Sequence, residues 1–224
     1  MDRLRGDWVL IDNATGKVVE RKSATILNVP RMTERGTFIR NGSELGLKHM
    51  FRLKPGIYAR VKGDGTPSVH INPAQTTGRQ MSLNMDQSTG VMSISRGTRT
   101  YGVLPLLRAA GVSDDAMKAS WGEELFDIQK NKYIRILNNN DQMAEYKKLW
   151  DEGFAPIQLD EETTLSTMGK AYKAMSPEVL LGAANKAVKL SRSMSVDDED
   201  DRDSLAYQRI MGPADYIPER IVRD

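Results

Sequence analysis

The alternation of apolar and polar side chains in residues 81–95 is the feature that most constrains this fold. Met81–Met85 reads MSLNM and Val91–Ser95 reads VMSIS, and the turn-forming segment Asp86–Gly90 joins them. Successive side chains of a β-strand point to opposite faces of a sheet, so a period of two predicts strands with one buried face. The segment therefore predicts two β-strands on either side of a turn.

Two further pairs of segments have the same organisation. Trp8–Ile11 and Lys17–Glu20 flank a loop that ends in glycine, which is typical of a hairpin. Ile57–Val61 and Ser68–Ile71 flank a turn with Asp-Gly chemistry, which predicts a second hairpin. The first half of the chain is therefore predicted to be rich in β-structure.

Helix signals dominate the second half. Pro105 suits the first turn of a short helix, and Gly111 suits the position just after its end. Ser113 is followed by two aspartates, as expected of an N-cap at the positive end of the helix dipole. Asp141 is predicted to cap a helix over Gln142–Glu152.

Two more helices are predicted near the C-terminal end. Apolar residues within Leu165–Met175 fall on one helical face, and Ser176 followed by Pro177 is a helix start. The predicted fold class is α+β, with a β-rich domain over residues 1–110 and a helical domain over residues 111–200.

Composition excludes several classes of function. The chain has no cysteine, which excludes disulfides, thiolate catalysis and cysteine zinc sites. No apolar run approaches the roughly 20 residues that a membrane helix needs, so no membrane partner is expected. Residues 1–110 hold 17 Lys and Arg against 8 Asp and Glu, whereas residues 111–224 hold 15 against 22. The basic half indicates an anionic partner, although a solvated surface of mixed charge explains the counts equally well.

Three blocks of sequence carry a resemblance to a known family. The first reads TERGTFIRNGSE at 33–44 with KPG at 54–56, the second combines LNMD, GVMSI and LPLLRAAG between 83 and 111, and the third reads DRDSLAYQR at 201–209. In this order they resemble T-x-x-G-T-F-x-x-N-G-T/S-E … x-P-G, then F-x-F-D … L-x-V-x-I … L-P-x-x-x-L-L-R-A-L-G, then D-D-I-D-H-L-G-N-R-R. These are blocks of the N-terminal part of the β subunit of multisubunit DNA-directed RNA polymerase.

The resemblance implies an architecture and a setting. The corresponding pieces of β are called the protrusion and the lobe, and residues 201–224 are expected to return to the protrusion-like part. The sequence stops before the parts of β that line the RNA–DNA hybrid. This fits either a cut fragment or a β subunit divided between polypeptides, as in large bacteriophages, and the expected location is the host cytoplasm or the virion.

The resemblance also implies residues that contact nucleic acid. Asp203 matches an acid of the family that reads a non-template base, and a carboxylate can accept a hydrogen bond from a base. Arg96 and Arg99 match a basic run of the family. Arg52 and Lys54 flank the position of a family arginine, and they are expected to track phosphates.

Gln80 departs from the family, because it aligns with a tryptophan that stacks on a base. It is retained as a candidate contact, although glutamine stacks poorly.

Catalysis is expected on another subunit. The family's catalytic aspartates hold Mg²⁺ on β′, and no D-x-D-G-D motif occurs in this sequence. No cofactor, metal site or catalytic residue is therefore expected in this chain. The expected partners are the rest of β, a β′-like subunit, the DNA template and the RNA–DNA hybrid, within a nucleotidyltransferase complex.

Other functions remain open at this point. The chain fits a free-standing DNA-binding modulator of transcription built from a β module, and it also fits a structural virion protein. A hydrolase with a dispersed site is a weaker alternative, since the sequence has no recognisable pair of nucleophile and base.

Overall fold

A computed structural model describes residues 2–74, 77–193, 199–216 and 218. The chain divides into two compact units, residues 1–49 and residues 50–224. The boundary predicted between residues 110 and 111 divides the chain at a different place and stays a prediction. No helix of the described residues is both long and apolar enough to span a bilayer.

The first unit consists of two antiparallel hairpins. The long hairpin pairs β1 (Asp2–Ile11) with β2 (Val18–Val29), which confirms and extends the first predicted hairpin. The short hairpin pairs β3 (Thr37–Arg40) with β4 (Ser43–Gly46). Asn41 and Gly42 connect β3 to β4 with φ angles of 51° and 79°, the left-handed conformations that a two-residue hairpin turn requires.

The second unit contains a five-stranded antiparallel sheet of spatial order β10-β9-β8-β7-β6. Both remaining predicted strand pairs are confirmed within this sheet. Its strands are β6 (Gly56–Val61), β7 (Pro67–Asn72), β8 (Met81–Met85), β9 (Met92–Arg96) and β10 (Arg99–Gly102).

Helices pack around this sheet in the second unit. They are α1 (Val103–Ala109), α2 (Asp114–Trp121), α3 (Glu123–Leu137), α4 (Asn140–Leu149), α5 (Glu161–Met168) and α6 (Pro177–Ser193). A π-helical turn, Trp150–Phe154, follows α4. Helix α6 packs on β6, β7 and β8, and α1 packs on β9. One hydrophobic cluster runs from Ile57 to Leu190, so the sheet and the helices share a core.

The helix predictions near residues 105–113 and 176 are confirmed. Gly111 has a φ of 93° directly after the C-cap of α1, and the Ser113 hydroxyl accepts a hydrogen bond from the Ala116 amide. At the start of α6, the Ser176 hydroxyl accepts a bond from the Val179 amide.

Two other helix predictions were wrong in their limits. Helix α4 starts before Asp141, because the Asn139 side chain caps it by accepting hydrogen bonds from two backbone amides. The helix predicted over Leu165–Met175 ends at Met168, since Gly169 takes a left-handed φ of 76° that terminates the helix.

The C-terminal segment returns to the sheet-rich part, as expected. Strand β11 (Gln208–Met211) pairs antiparallel with β5 (Met50–Leu53), and a single 3-10 turn, Leu205–Tyr207, precedes it. The Lys54 amide donates a hydrogen bond of 2.8 Å to the Tyr207 carbonyl. Of the segment 201–224, residues 217 and 219–224 lie outside the described residues.

Candidate nucleic-acid interface

The face of the five-stranded sheet opposite α1 and α6 is polar, and Tyr133 of α3 and Thr163 of α5 lie against its two edges. Cross-strand pairing aligns two rows of side chains on this face. One row is Tyr58, His70, Ser82, Ser95 and Thr100, and the other is Arg60, Ser68, Asn84 and Ser93. The same alternation that buries Leu83 and Ile94 in the core thus places hydroxyl, amide and cationic groups on the other face, where Tyr58 and Ser68 are themselves buried.

A cleft of about 410 Å³ lies on this polar face. Sheet residues form its floor and the returning C-terminal segment supplies one wall. Its lining residues are His70, Gln80, Met81, Ser82, Ser95, Gly97 and Arg202. The third sequence block therefore meets the region of the second one here, since Gly97 lines the same cleft as Arg202 of the DRDSLAYQR segment.

Two polar atoms on this face of the sheet lack partners among the residues that the structure describes. The Nε2 atom of His70 and the Nε atom of Arg60 are buried, and within the described residues they have no hydrogen-bond partner. Burial lowers the pKa of His70 to about 4, and the charges of Arg60, Arg202 and Lys62 act in the same direction. His70 is therefore neutral at pH 7, and its buried Nε2 atom retains an unused capacity for a hydrogen bond.

A second cleft shares Arg202 with the first one. It is lined by Arg60, Val61 and the segment Glu199–Asp203. Asp203 is exposed there, and its amide donates a hydrogen bond to the Asp201 carboxylate. The predicted base-reading acid thus lies next to two arginines, with its carboxylate facing solvent.

Residues just before Asp203 hold the C-terminal segment against the sheet. The Asp200 carboxylate accepts a hydrogen bond of 2.6 Å from the Ala59 amide and lies 2.6 Å from the Lys186 ammonium. The Glu199 carboxylate accepts a bond of 3.1 Å from the Val61 amide. Two carboxylates therefore accept hydrogen bonds from backbone amides at the free edge of β6. These bonds hold the neighbouring residues Arg202 and Asp203 in place.

Arg52 and Lys54 belong to the ribbon formed by β5 and β11. Arg52 is exposed and directly opposite Arg209, and Arg209 forms an ion pair of 2.7 Å with Asp215. The Lys54 ammonium lies 3.8 Å from the carboxylate of Glu162 in α5. Because Arg52 and Arg209 occupy facing positions, two cationic side chains lie close together at one place on the ribbon.

Arg96 and Arg99 are facing residues of the β9–β10 hairpin. Arg99 is exposed at the start of β10. Arg96 is partly buried and in register with buried Met81, and a Cβ on Gly153 would collide with its guanidinium group. Arg96 therefore extends toward the helices, whereas Gln80 lines the polar face. The structure does not bring Arg96 together with Gln80 and Asp203.

Sequence reasoning did not single out three residues that line the two clefts. Arg60 and His70 lie at polar-face positions of predicted strands, so strand alternation could have identified them. Arg202 lies inside the third block, where the resemblance implies a role only for the neighbouring acid Asp203.

Comparison with known proteins finds similarity over most of the chain to one kind of protein. No family model matches it. DNA-directed RNA polymerase subunit beta of Prochlorococcus marinus (strain AS9601) is 32% identical, over 93% of this chain and 19% of that protein. The subunit beta of Synechocystis sp. (strain ATCC 27184 / PCC 6803 / Kazusa) is 24% identical, over 95% of this chain and 21% of that protein.

A third relative matches a shorter part. The subunit beta of Dehalococcoides mccartyi (strain CBDB1) is 31% identical, over 61% of this chain and 11% of that protein. The chain thus spans about a fifth of the length of the relatives that it matches most completely. Over almost its full length it is an RNA polymerase β-like region.

Proposed function

We propose that this chain is a non-catalytic part of a multisubunit DNA-directed RNA polymerase, where it shapes the cleft and contacts DNA. The observation that carries the proposal is similarity to proteins named DNA-directed RNA polymerase subunit beta over 93% and 95% of the chain. The polymerase is of the bacteriophage type, in which β is divided between chains, and it works in the host cytoplasm or is packaged in the virion.

The polar face of the sheet supports DNA contact at the cleft. Arg202 supplies positive charge to this cleft and to the second cleft, where Arg60 adds a second cation, and His70 lines the first cleft. Phosphates attract such cations, and amide and hydroxyl groups hydrogen-bond to phosphates or base edges. Gln80 and Asp203 then contribute as hydrogen-bonding groups rather than as stacking platforms. The arginine pair Arg52 and Arg209 provides a second region suited to phosphate.

Catalysis is assigned to a partner. In this proposal a β′-like subunit holds the Mg²⁺ ions, and this chain contributes no cofactor. Its described residues bind and orient nucleic acid, and they dock against the remaining β-like polypeptide.

The proposal is tested by purifying the tagged full chain from its native cells. We expect β′-like and further β-like polypeptides to copurify, and the complex to synthesise RNA only when DNA is added. In this complex Arg202→Ala should weaken DNA binding several-fold and reduce the dependence of log K on log salt by about one unit. Arg135→Ala, at an exposed position of α3, is the matched control and should leave both quantities unchanged.

Two outcomes would contradict the proposal. A tagged chain that elutes without polymerase subunits argues against membership in a polymerase. If that isolated chain also shifts duplex DNA in an electrophoretic assay, the free-standing modulator becomes the better explanation. Equal DNA binding by the Arg202 and Arg135 variants would remove the cleft from the interface.

A further inference from the structure

The long hairpin of β1 and β2 has one apolar face and one largely polar face. Its apolar face, here called the Trp8 face, follows from the pairing register of the two strands. Its members are Leu4, Trp8, Leu10, Ile26, Leu27 and Val29. The opposite face begins with Arg3, Arg5 and Asp7 and becomes apolar only near the turn.

A bulge in β2 concentrates apolar groups on the Trp8 face. The register shifts between Leu4 and Arg5, so Ile26 is an extra residue in β2. A Cβ on Gly6 would lie 2.5 Å from the Ile26 Cδ1 atom, which places the Ile26 side chain over Gly6. Glycine thus lets an isoleucine cover the centre of this face, and the gap between Leu4 and Trp8 is filled.

Every apolar member of the Trp8 face is exposed. Trp8 has 56% and Leu10 has 57% of its surface accessible to solvent. Monomeric soluble proteins rarely expose contiguous apolar surface of this extent, and an isolated two-stranded hairpin is only marginally stable in water. The face therefore has the composition of a surface that is buried in an assembly, with an aromatic anchor near its middle.

We propose that the Trp8 face is the docking surface for another polypeptide of the same polymerase, one that carries β-like sequence outside the region matched by this chain. This inference rests on the proposed function. The matched relatives are about five times as long as the region that they share with this chain. A β-like region in a working polymerase needs that remaining polypeptide beside it.

The chemistry of the face favours a polypeptide over nucleic acid. Lys22 lies opposite Trp8, and Glu20 lies opposite Leu10, so the charges at this end of the face have opposite signs. Interfaces with DNA are polar and strongly positive, whereas the centre of a protein interface is apolar and contains few charges. The partner surface is expected to be apolar at its centre, with an acid placed to meet Lys22.

Photo-crosslinking in the assembled polymerase tests the inference. A benzophenone amino acid replaces Trp8 in the tagged full chain, in native cells, and mass spectrometry identifies the crosslinked peptide. Val9 is the matched control, because it is the next residue, is 45% exposed and belongs to the opposite face. We expect the Trp8 position to crosslink to a β-like polypeptide with at least fivefold higher yield than the Val9 position.

A second benzophenone probe at Leu10, on the same face, should crosslink to the same β-like polypeptide and so shows that the result does not depend on Trp8 alone. Crosslinks to a second copy of this chain, to residues 50–216 of the same chain or to DNA would overturn the inference. Equal yields from the Trp8 and Val9 positions, or no crosslink from an intact complex, would do the same. If no β-like polypeptide copurifies with the unsubstituted chain, the proposed function itself fails, which is a separate result.

Discussion

Strands of both compact units carry apolar side chains on one face, but these side chains are buried in the five-stranded sheet of the second unit and exposed in the long hairpin of the first. In β8 the apolar residues Met81, Leu83 and Met85 are all buried, because helices cover that face of the sheet. In β1 the apolar residues Leu4, Trp8 and Leu10 also share one face, with Gly6 between the first two, yet each is exposed. Alternation therefore predicts which residues share a face, and the rest of the structure decides whether that face is covered.

This difference in exposure means that the apolar side chains of the two units have different roles, stability in the second unit and recognition in the first. Apolar side chains in the second unit lose contact with water on folding and contribute most of the free energy that holds the sheet and helices together. Exposed apolar side chains of the first unit contribute little to folding and are available to a partner. Substitutions of the same chemical type in the two units should therefore have different effects.

The largest difference is expected for a matched pair of leucines. Leu83→Ala removes a buried side chain from the central strand and should lower the free energy of unfolding by about 3 kcal/mol, since it leaves a cavity. Leu10→Ala, at an exposed position, should change it by less than about 0.5 kcal/mol. Denaturant unfolding followed by fluorescence of buried Trp121 measures both values. Equal losses would show that the Leu10 side chain is buried in the isolated chain.

Much of this fold could be predicted from sequence, because alternation and turn chemistry are local. The strands Met81–Met85 and Ile57–Val61 were identified in this way, and the α+β class followed from the contrast with helix signals. The error at Leu165–Met175 arose where apolar periodicity and a helix-ending glycine compete. Gly169 adopts a left-handed φ at no steric cost, so the helix ends there although apolar residues continue.

The candidate interface was less predictable, because it is assembled from distant segments. His70 and Arg202 line one cleft only because the C-terminal segment returns to the sheet. Only the resemblance to β subunits indicated that return. The separation of Arg96 from Gln80 depends on strand register, and the resemblance gives no direct measure of register.

A buried charge pair offers the next comparison between the units. The Lys186 and Asp200 side chains retain 20% and 13% of their exposure, whereas the pair of Arg31 and Asp2 in the first unit retains 78% and 60%. Lys186→Met should cost about 3 kcal/mol, because the Asp200 carboxylate loses its counter-charge in a partly desolvated place. Arg31→Met should cost less than about 0.5 kcal/mol.

Thermal unfolding of the two methionine variants measures this difference. Since Asp200 also accepts a hydrogen bond from the β6 edge, the Lys186 variant should loosen the C-terminal segment as well. Faster amide exchange at Ala59 would report that loosening. An Ala59 amide that stays as protected as in the unsubstituted chain would show that the carboxylate holds the segment without Lys186.

The smallest expected effect concerns pH, and it depends on the one histidine of the second unit. Burial beside Arg60, Arg202 and Lys62 lowers the pKa of His70 from 6.5 to about 4 in the folded chain. The unfolded chain therefore binds this proton at a higher pH than the folded chain. As pH falls from about 6.5 toward 4, protonation should favour unfolding, and stability should decline in that window. The His70→Gln variant should lose less stability over the same window.

A nuclear magnetic resonance titration tests the cause directly. His49→Gln leaves His70 as the only histidine, and its ring signals should titrate with a midpoint near pH 4. A midpoint near 6.5 would mean that the imidazole is solvated and that the cations are too distant to act on it. Adding a short DNA duplex to the assembled complex should raise the midpoint, because phosphates near the cleft offset the charges of the arginines. A midpoint that DNA leaves unchanged would place the phosphates elsewhere on the second unit, with the Arg52 and Arg209 ribbon as the next region to examine.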